Sequence, residues 1–405
     1  MSCPIARRCR AALPAGHALL LLCGAVLPAA TPALAGEGEV FTAIVSADIN
    51  RDDNVFRVPD NFNLLAFAGS SARGDTIRST GLTLRFDKPI GRQNLLLEAR
   101  ARQIRYDRYD FLDHDRLDYT ARLKWQLGNR LSGELYRERT QQLTDFGDWR
   151  SPTRNIRNQT DTGLNARWWL HADWYLTARR SRIESVNDTL LRRPNDNTAE
   201  IAEAGVLYRS GGNNEIGFVL RETDGDYPVS PAARYRLRNA ELRGVWQVGG
   251  KSTLRGYVGR AERDHPLAPQ RDYRGVNGRL SWDWAISGKT ALNLTVRREL
   301  SAYHDFVTNY TVTDSISIAP SWRPTEKTGL ILSLERSTRD FVGDINPLIN
   351  YHRKDAQRSA ALTGMWDPWR FLRLTASLRR DLRDSNDNAF DYKASGAYLG
   401  AQFTF

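Results

Sequence analysis

An aromatic residue followed by a tight polar turn recurs eight times along this chain, each time between strands of alternating hydrophobicity. The first three occurrences are Phe86 before Lys88-Pro89-Ile90-Gly91-Arg92, Trp125 before Gly128-Asn129-Arg130, and Trp168 before His171-Ala172-Asp173. Next come Tyr208 before Gly211-Gly212-Asn213-Asn214, Trp246 before Gly249-Gly250-Lys251, and Trp284 before Ser287-Gly288-Lys289. Trp322 before Pro324-Thr325-Glu326-Lys327 and Trp366 before Asp367-Pro368 complete the set. Successive aromatics are 39, 43, 40, 38, 38, 38 and 44 residues apart, and Phe405 falls 39 beyond Trp366. A repeat of this length means one supersecondary unit used many times. The last strand must therefore end at the level of the tight turns.

Eight hairpin turns join sixteen strands. A first strand over about Phe41 to Ile49 and a last over about Phe390 to Phe405 bring the total to eighteen, the turns joining strands 2–3, 4–5 and so on to 16–17. Within the strands the period is two. Leu292, Leu294 and Val296 alternate with Asn293, Thr295 and Arg297, and Leu372, Leu374, Ala376 and Leu378 with Arg373, Thr375, Ser377 and Arg379. Leu82, Leu84 and Phe86 alternate with Thr83 and Arg85, and Leu399, Ala401, Phe403 and Phe405 with Gly400, Gln402 and Thr404. Such strands carry one apolar face.

A β-propeller or soluble sandwich can also repeat at about 40 residues. The tryptophans argue otherwise. Ten of the eleven lie at or beside the tight turns, leaving Trp149 aside, so tryptophan marks one end of the molecule. Soluble folds bury Trp, whereas membrane barrels set it at the water boundary. The opposite connections are long and polar, as in Asp110-to-Arg116, Asn187-to-Thr198 and Val342-to-Asp355. The expected fold is all-β, a transmembrane antiparallel outer-membrane β-barrel of 18 strands with short periplasmic turns and longer extracellular loops. Phe86, Trp125, Trp168, Tyr208, Trp246, Trp284, Trp322, Trp366 and Phe405 would form its periplasmic aromatic girdle.

The N-terminus fits secretion to a bacterial outer membrane. Arg7, Arg8 and Arg10 precede an apolar stretch over Ala11 to Leu27, and Ala33-Leu34-Ala35 offers a cleavage pattern, so residues 1–35 read as a removable signal peptide and 36–405 as one barrel domain. Pro14, His17 and Pro28 interrupt the apolar run, which is too short for a spanning helix. Cys3, Cys9 and Cys23 all fall inside it, leaving the mature chain without disulfides. Lipidation of Cys23 is disfavoured by Leu22, where that processing needs a small residue. The 58 basic and 47 acidic residues lose three arginines with the signal, so the mature balance is 55 minus 47, or +8. On a secreted chain this points to anionic sugars or lipid head groups rather than nucleic acid. A mean hydropathy of −0.53, with no long apolar run past residue 36, excludes a helical membrane protein but not a barrel.

If leucine faces lipid, the other parity faces the lumen. It carries Arg85, Arg100, Arg102, Arg122, Lys124, Arg243, Arg255, Arg279, Arg297, Arg373 and Arg379, interleaved with Glu98, Glu134, Glu241, Asp283, Glu299 and Glu335. For any one arginine the ordinary expectation is cross-strand pairing; the basic excess would set an anion preference. The upper ends hold Tyr106, Tyr109, Phe111, Tyr227, Tyr303, Phe306, Phe341 and Tyr351. Such rings suit a sugar face or, more commonly, an upper girdle. His114, His171, His265, His304 and His352 stand in no catalytic motif, so no catalytic residue, cofactor or enzymatic activity is expected. Asp52-Asp53-Asn54 reads as a polar loop rather than a Ca²⁺ ligand set, and no metal site is assigned.

Several segments are similar to EpsL-like proteins, the outer-membrane components of exopolysaccharide operons associated with exosortase and PEP-CTERM sorting. They are Asp52-Asp53-Asn54-Val55-Phe56-Arg57, Leu84-Arg85-Phe86-Asp87-Lys88-Pro89, Tyr106-Asp107-Arg108-Tyr109-Asp110 with Tyr119, Gly225-Asp226-Tyr227-Pro228, and Gly250-Lys251-Ser252-Thr253-Leu254. Gln270-Arg271-Asp272-Tyr273, Leu300-Ser301-Ala302-Tyr303 and Arg339-Asp340-Phe341 follow in order. The resemblance implies a passive conduit with a basic lumen for export or assembly of an acidic or neutral extracellular polysaccharide. Its partners would be outer-membrane lipid, the barrel insertion machinery and periplasmic or inner-membrane export components. Three alternatives stay open: an uptake porin for oligosaccharides or anions, a barrel enzyme acting on polymer or lipid, and a plugged scaffold.

Overall fold

The computed structural model describes residues 40–148, 151–302, 310–342 and 352–405. The signal-peptide expectation, Gly36 and the cysteines lie outside these residues, as do Trp149, Tyr303, His304, Phe306 and Tyr351.

Eighteen antiparallel strands make up one sheet. They are β1 (Phe41–Asp52), β2 (Asp75–Ile90), β3 (Gln93–Tyr106), β4 (His114–Leu127), β5 (Leu131–Leu143), β6 (Ile156–Trp169), β7 (Trp174–Asn187), β8 (Asn197–Arg209) and β9 (Glu215–Asp226). The second half comprises β10 (Tyr235–Val248), β11 (Ser252–Asp264), β12 (Tyr273–Ala285), β13 (Thr290–Ala302), β14 (Tyr310–Thr325), β15 (Thr328–Val342), β16 (Lys354–Trp369), β17 (Leu372–Ser385) and β18 (Tyr392–Thr404). Each strand pairs with its chain neighbours, and β1 pairs with both β2 and β18, so the sheet closes. The seam is fully bonded: Ala43 N–H donates to the Phe405 carbonyl at 3.0 Å, and Phe405 N–H donates back at 2.8 Å. Closure leaves no edge strand to be satisfied in lipid.

The turn order is the expected one, joining β2–β3 through β16–β17. Where the hairpins are tightest, glycine supplies the backbone. Gly91 turns β2 into β3 at φ 60°, and Gly249 and Gly250 turn β10 into β11 at φ 52°, a region L-residues avoid. Two turns lie further along than their prolines suggest. Pro324 stays within β14 and Pro368 within β16, each inside a register shift (Trp322/Thr325 and Trp366/Trp369), and the chain reverses at residues 326–327 and 370–371. Proline lacks the N–H of a regular ladder, and a bulge accommodates it without ending the strand. The first strand extends to Asp52, the last runs Tyr392–Thr404, and β4 begins at His114, within the segment read as a loop.

Parity holds around the wall. Leu82, Leu84, Leu164, Leu242, Leu280, Leu362 and Leu378 are all exposed on the outer face, which only lipid would cover. Girdle residues Trp168, Trp246, Trp284, Trp322, Trp366 and Phe405 are exposed on that face beside the short turns. Phe86, Trp125 and Tyr208 share its parity, Tyr208 lying 5.2 Å from Trp174.

Leu294, opposite Trp282 and Ile318, sits amid this apolar band, while Asn293 donates to Asp283 at 2.7 Å on the inner face. Leu294→Arg should therefore cost about 2–4 kcal/mol in a bilayer unfolding titration. Asn293→Arg should fold nearly as wild type. Equal losses from the two would contradict the inside–outside assignment.

Candidate functional site

The lumen wall is a lattice of short ion pairs. Every arginine expected there meets a carboxylate, and several of the acids lie on a neighbouring strand. Arg85 reaches Asp87 at 2.8 Å, Arg100 reaches Glu98 at 2.7 Å, and Arg102 reaches Asp48 at 3.4 Å. Arg122 lies between Glu134 and Glu138, and Arg255 pairs with Asp283. Arg243 makes two bonds to Glu203, at 2.9 and 2.8 Å, bridging over β9 from β10 to β8. Arg279 faces Glu299 at 3.6 Å, Arg297 meets Glu335 at 2.8 Å, Arg373 meets Asp367 at 2.7 Å and Arg379 meets Asp381 at 2.5 Å. Asp48, Asp87, Glu138, Glu203, Asp367 and Asp381 were not among the acids read from parity. Along β1–β4 this wall encloses a recess of about 860 Å³ that includes Arg85, Glu98, Arg100, Arg102 and Asp118.

Several inner-face cations have no carboxylate within ion-pair distance among the described residues, Lys124, Arg167, Arg157 and Arg263 among them. Lys124 is exposed low on β4, and Arg167 of β6 rests its guanidinium 4.6 Å over the Tyr175 ring. Arg157 donates to Ser185 Oγ at 2.9 Å, and Arg263 sits 3.6 Å over the Tyr235 ring and 5.2 Å from that of Tyr310. Lys124 and Arg167 lie toward the short turns, Arg157 and Arg263 at the opposite mouth. Of these, the sequence reading named Lys124 alone.

The outer mouth is built by loops that fold inward. The twenty-two residues 53–74 join β1 to β2 and carry a short helix, Leu64–Ala68. Val55, Phe56, Val58 and Leu64 are buried there against Tyr109, Leu112 and Phe146 from the next two outer loops. Phe56 packs 4.8 Å from Tyr109 and 4.9 Å from Phe146. Tyr109, Tyr227 and Phe341 are buried, so the upper-girdle reading fails for them. Tyr109 packs on Phe56, Tyr227 lies 6.4 Å from Tyr235, and Phe341 of β15 has the Arg353 guanidinium 4.1 Å over its ring, so each is buried without lipid. Asp52, Asp53 and Asn54 serve the same packing: Asp52 accepts two bonds from Arg57, Asp53 accepts from Ser395 N–H, and Asn54 donates to the Val58 and Lys393 carbonyls.

A strap crosses this mouth. The loop after β5 places Asp148 against Arg339 of β15, at 2.9 and 3.0 Å, and Arg383 of β17, at 3.1 Å. Arg383 also donates to the Gly147 carbonyl at 2.6 Å. Counted round the sheet, β15 is eight strands from β5, close to the opposite wall. Burial alone would raise the Asp148 carboxyl, but Arg339, Arg383 and Arg353 hold it well below the usual carboxylate range. The strap is thus ionised and anchored at neutral pH and above; a depressed carboxyl loses its contribution only as pH falls through that low value. On the other side of the mouth, Gly225 leaves room for the Tyr235 ring, which a Cβ there would meet at 2.1 Å. His265 accepts from Arg263 Nε at 3.2 Å; burial, with Arg263 and Arg271 nearby, pushes its pKa down to about 3, so it is a neutral packing group. His114 is buried with Nδ1 at 2.8 Å from the Leu112 carbonyl.

No family model and no curated relative matches the chain. Solved outer-membrane porins match its architecture. OpdK of Pseudomonas aeruginosa, solved alone and with vanillate, aligns with 90% of this chain and 99% of its own at 13% identity and a TM-score of 0.51. OpdQ of the same organism gives 12% identity over 90% and 97% with a TM-score of 0.52, and OccAB3 of Acinetobacter baumannii 11% over 90% and 99% with a TM-score of 0.50. This chain is an outer-membrane β-barrel. At such identities the likeness carries the fold, and the contents of the lumen are this chain's own.

Asp148→Asn tests the strap. Cleavage between residues 144 and 155 by added protease should quicken by about tenfold, as expected when about 1.4 kcal/mol of charged hydrogen bonding is lost. The barrel should keep its heat-modifiable migration. An unchanged cleavage rate would mean the strap is held by other contacts.

Proposed function

We propose that this barrel is a passive diffusion channel admitting small anionic solutes, carboxylates and sugar acids in particular. The observation that carries this reading is the inner-face charge left over once the wall has paired with itself: Lys124 and Arg167 toward one end and Arg157 toward the other. Paired arginines keep a wall wet without favouring either sign. Unpaired cations attract anions, and guanidinium groups bind carboxylates in two-point fashion.

Two considerations support uptake of small solutes over the polysaccharide export that the EpsL-like resemblance implies. The structural neighbours are porins, and one was solved with vanillate, itself a small carboxylate. A mouth bridged from β5 to β15 suits a solute that slips past a strap better than a continuous polymer.

Planar-bilayer recording tests the proposal. Wild type should be anion-selective in a salt gradient, the preference fading as salt screens charges beyond about 10 Å at 0.1 M. Lys124→Ser with Arg167→Ser should move the reversal potential toward cations without loss of folded barrel. In liposome-swelling assays, sugar acids should enter faster than neutral sugars of equal size. Cation selectivity in wild type, or entry indifferent to solute charge, would overturn the reading. Block of the current by long acidic polysaccharide but not by small sugar acids would favour export instead.

A further inference from the structure

The outer wall carries its own charge pattern just beyond the lipid-facing leucines, on the long-loop side. Over β7 to β14 most cations at this level have an acid in ion-pair reach, and Arg274 of β12 stands directly opposite Glu262. Arg236 reaches Asp224 at 2.7 Å, Arg260 reaches Glu262 at 3.1 Å, Arg298 reaches Asp314 at 2.9 Å, and Arg180 pairs with Glu200. The next arc differs. Arg336, Arg358, Arg380, Lys393 and Arg51 stand on the consecutive strands β15, β16, β17, β18 and β1. All five are exposed, share the parity of Leu334, Leu362, Leu378, Leu399 and Ile49, and have no carboxylate within ion-pair distance among the described residues.

Arg336 and Arg358 are direct cross-strand partners, and Arg380 is a diagonal neighbour of Arg358, whose own partner is Leu382. Like charges directly opposite oppose strand pairing. The lumen also sets arginines opposite one another, Arg279 to Arg297 and Arg102 to Arg116, but there each has an acid within reach. With strands about 4.8 Å apart, the five cations span roughly 20 Å of circumference. Lipid tails would cover the leucines beneath them, so the groups met at their own height are headgroups. Headgroups of the outer leaflet of such membranes carry phosphate.

We propose that the arc from β15 to β1 is a docking surface for phosphorylated outer-leaflet glycolipid, its phosphates bridging Arg336, Arg358 and Arg380. A phosphate between two opposed guanidiniums turns their repulsion into paired charge-assisted hydrogen bonds. Basic clusters beside a membrane surface act in this way on anionic headgroups generally. The inference rests on the barrel's outside and is independent of what passes through it.

The test uses the full barrel in nanodiscs of zwitterionic phospholipid doped with a diphosphorylated acyl-disaccharide glycolipid, then extracted gently and examined by native mass spectrometry. Wild type should retain the phosphorylated glycolipid and not its enzymatically dephosphorylated form, and millimolar inorganic phosphate should fail to displace it. Arg336→Gln/Arg358→Gln/Arg380→Gln should lower retention by about tenfold or more. Arg236→Gln/Arg260→Gln/Arg298→Gln, at arginines that each have an acid in reach, should retain it as wild type does. Single Arg358→Gln, with an intact heat-modifiable band, provides the reading if the triple variant does not assemble. The proposal is overturned if the arc variants retain as much glycolipid as wild type or if the dephosphorylated lipid binds equally. It fails too if free phosphate displaces the lipid, which marks a small-anion site, or if the arc holds a second protein chain instead.

Discussion

Everything in this barrel depends on the seam where β1 meets β18. In hydrocarbon an unpaired backbone N–H or carbonyl has no water to turn to, so a sheet with two open edges cannot stay there. The reciprocal bonds between Ala43 and Phe405 complete the ring at its periplasmic end. Once the ring is closed, each strand's side chains are divided without remainder into an outer set and an inner set. Lipid solvates the leucines, and the polar parity is left to find partners in a confined aqueous space.

Those partners are mostly one another. A guanidinium on an inner wall is partly desolvated, and leaving it unpaired costs more there than on an open surface. The Arg243–Glu203 and Arg297–Glu335 contacts are local answers to that cost, and they knit strands together two apart. The exceptions then acquire meaning. Arg263 compensates its burial with the faces of Tyr235 and Tyr310, an attraction that survives where hydration does not. Arg157 and Arg167 lie on the same wall without an acid, and it is this remainder, rather than the gross arginine count, that can bias a passing solute.

The mouth follows another logic. Its loops are too polar to enter lipid and too apolar, at Val55, Phe56 and Phe146, to remain in water. Packing inward over the rim resolves both, and it brings Asp148 within reach of arginines on the far wall. The restriction at the mouth thereby has two independent fastenings, an apolar cluster over the β1–β3 side and an ion-pair anchor on β15 and β17.

Much of the architecture was legible in the sequence because strands have a period of two and hairpins a repeat near 39 residues. Strand number, turn order, the lipid face and the position of Trp246, Trp322 and Phe405 all follow from local spacing. Prolines were the local signal that misled: Pro324 and Pro368 read as turns, yet bulges absorbed them. Only the tertiary structure decided which acid meets which arginine, since that depends on the register between strands nearly 40 residues apart, as for Arg297 and Glu335. It alone turned Tyr109 and Tyr227 inward and carried Asp148 across the barrel to a residue 235 positions away. Spacing along a chain encodes which face a side chain takes; it holds no information about what stands opposite once the sheet has closed.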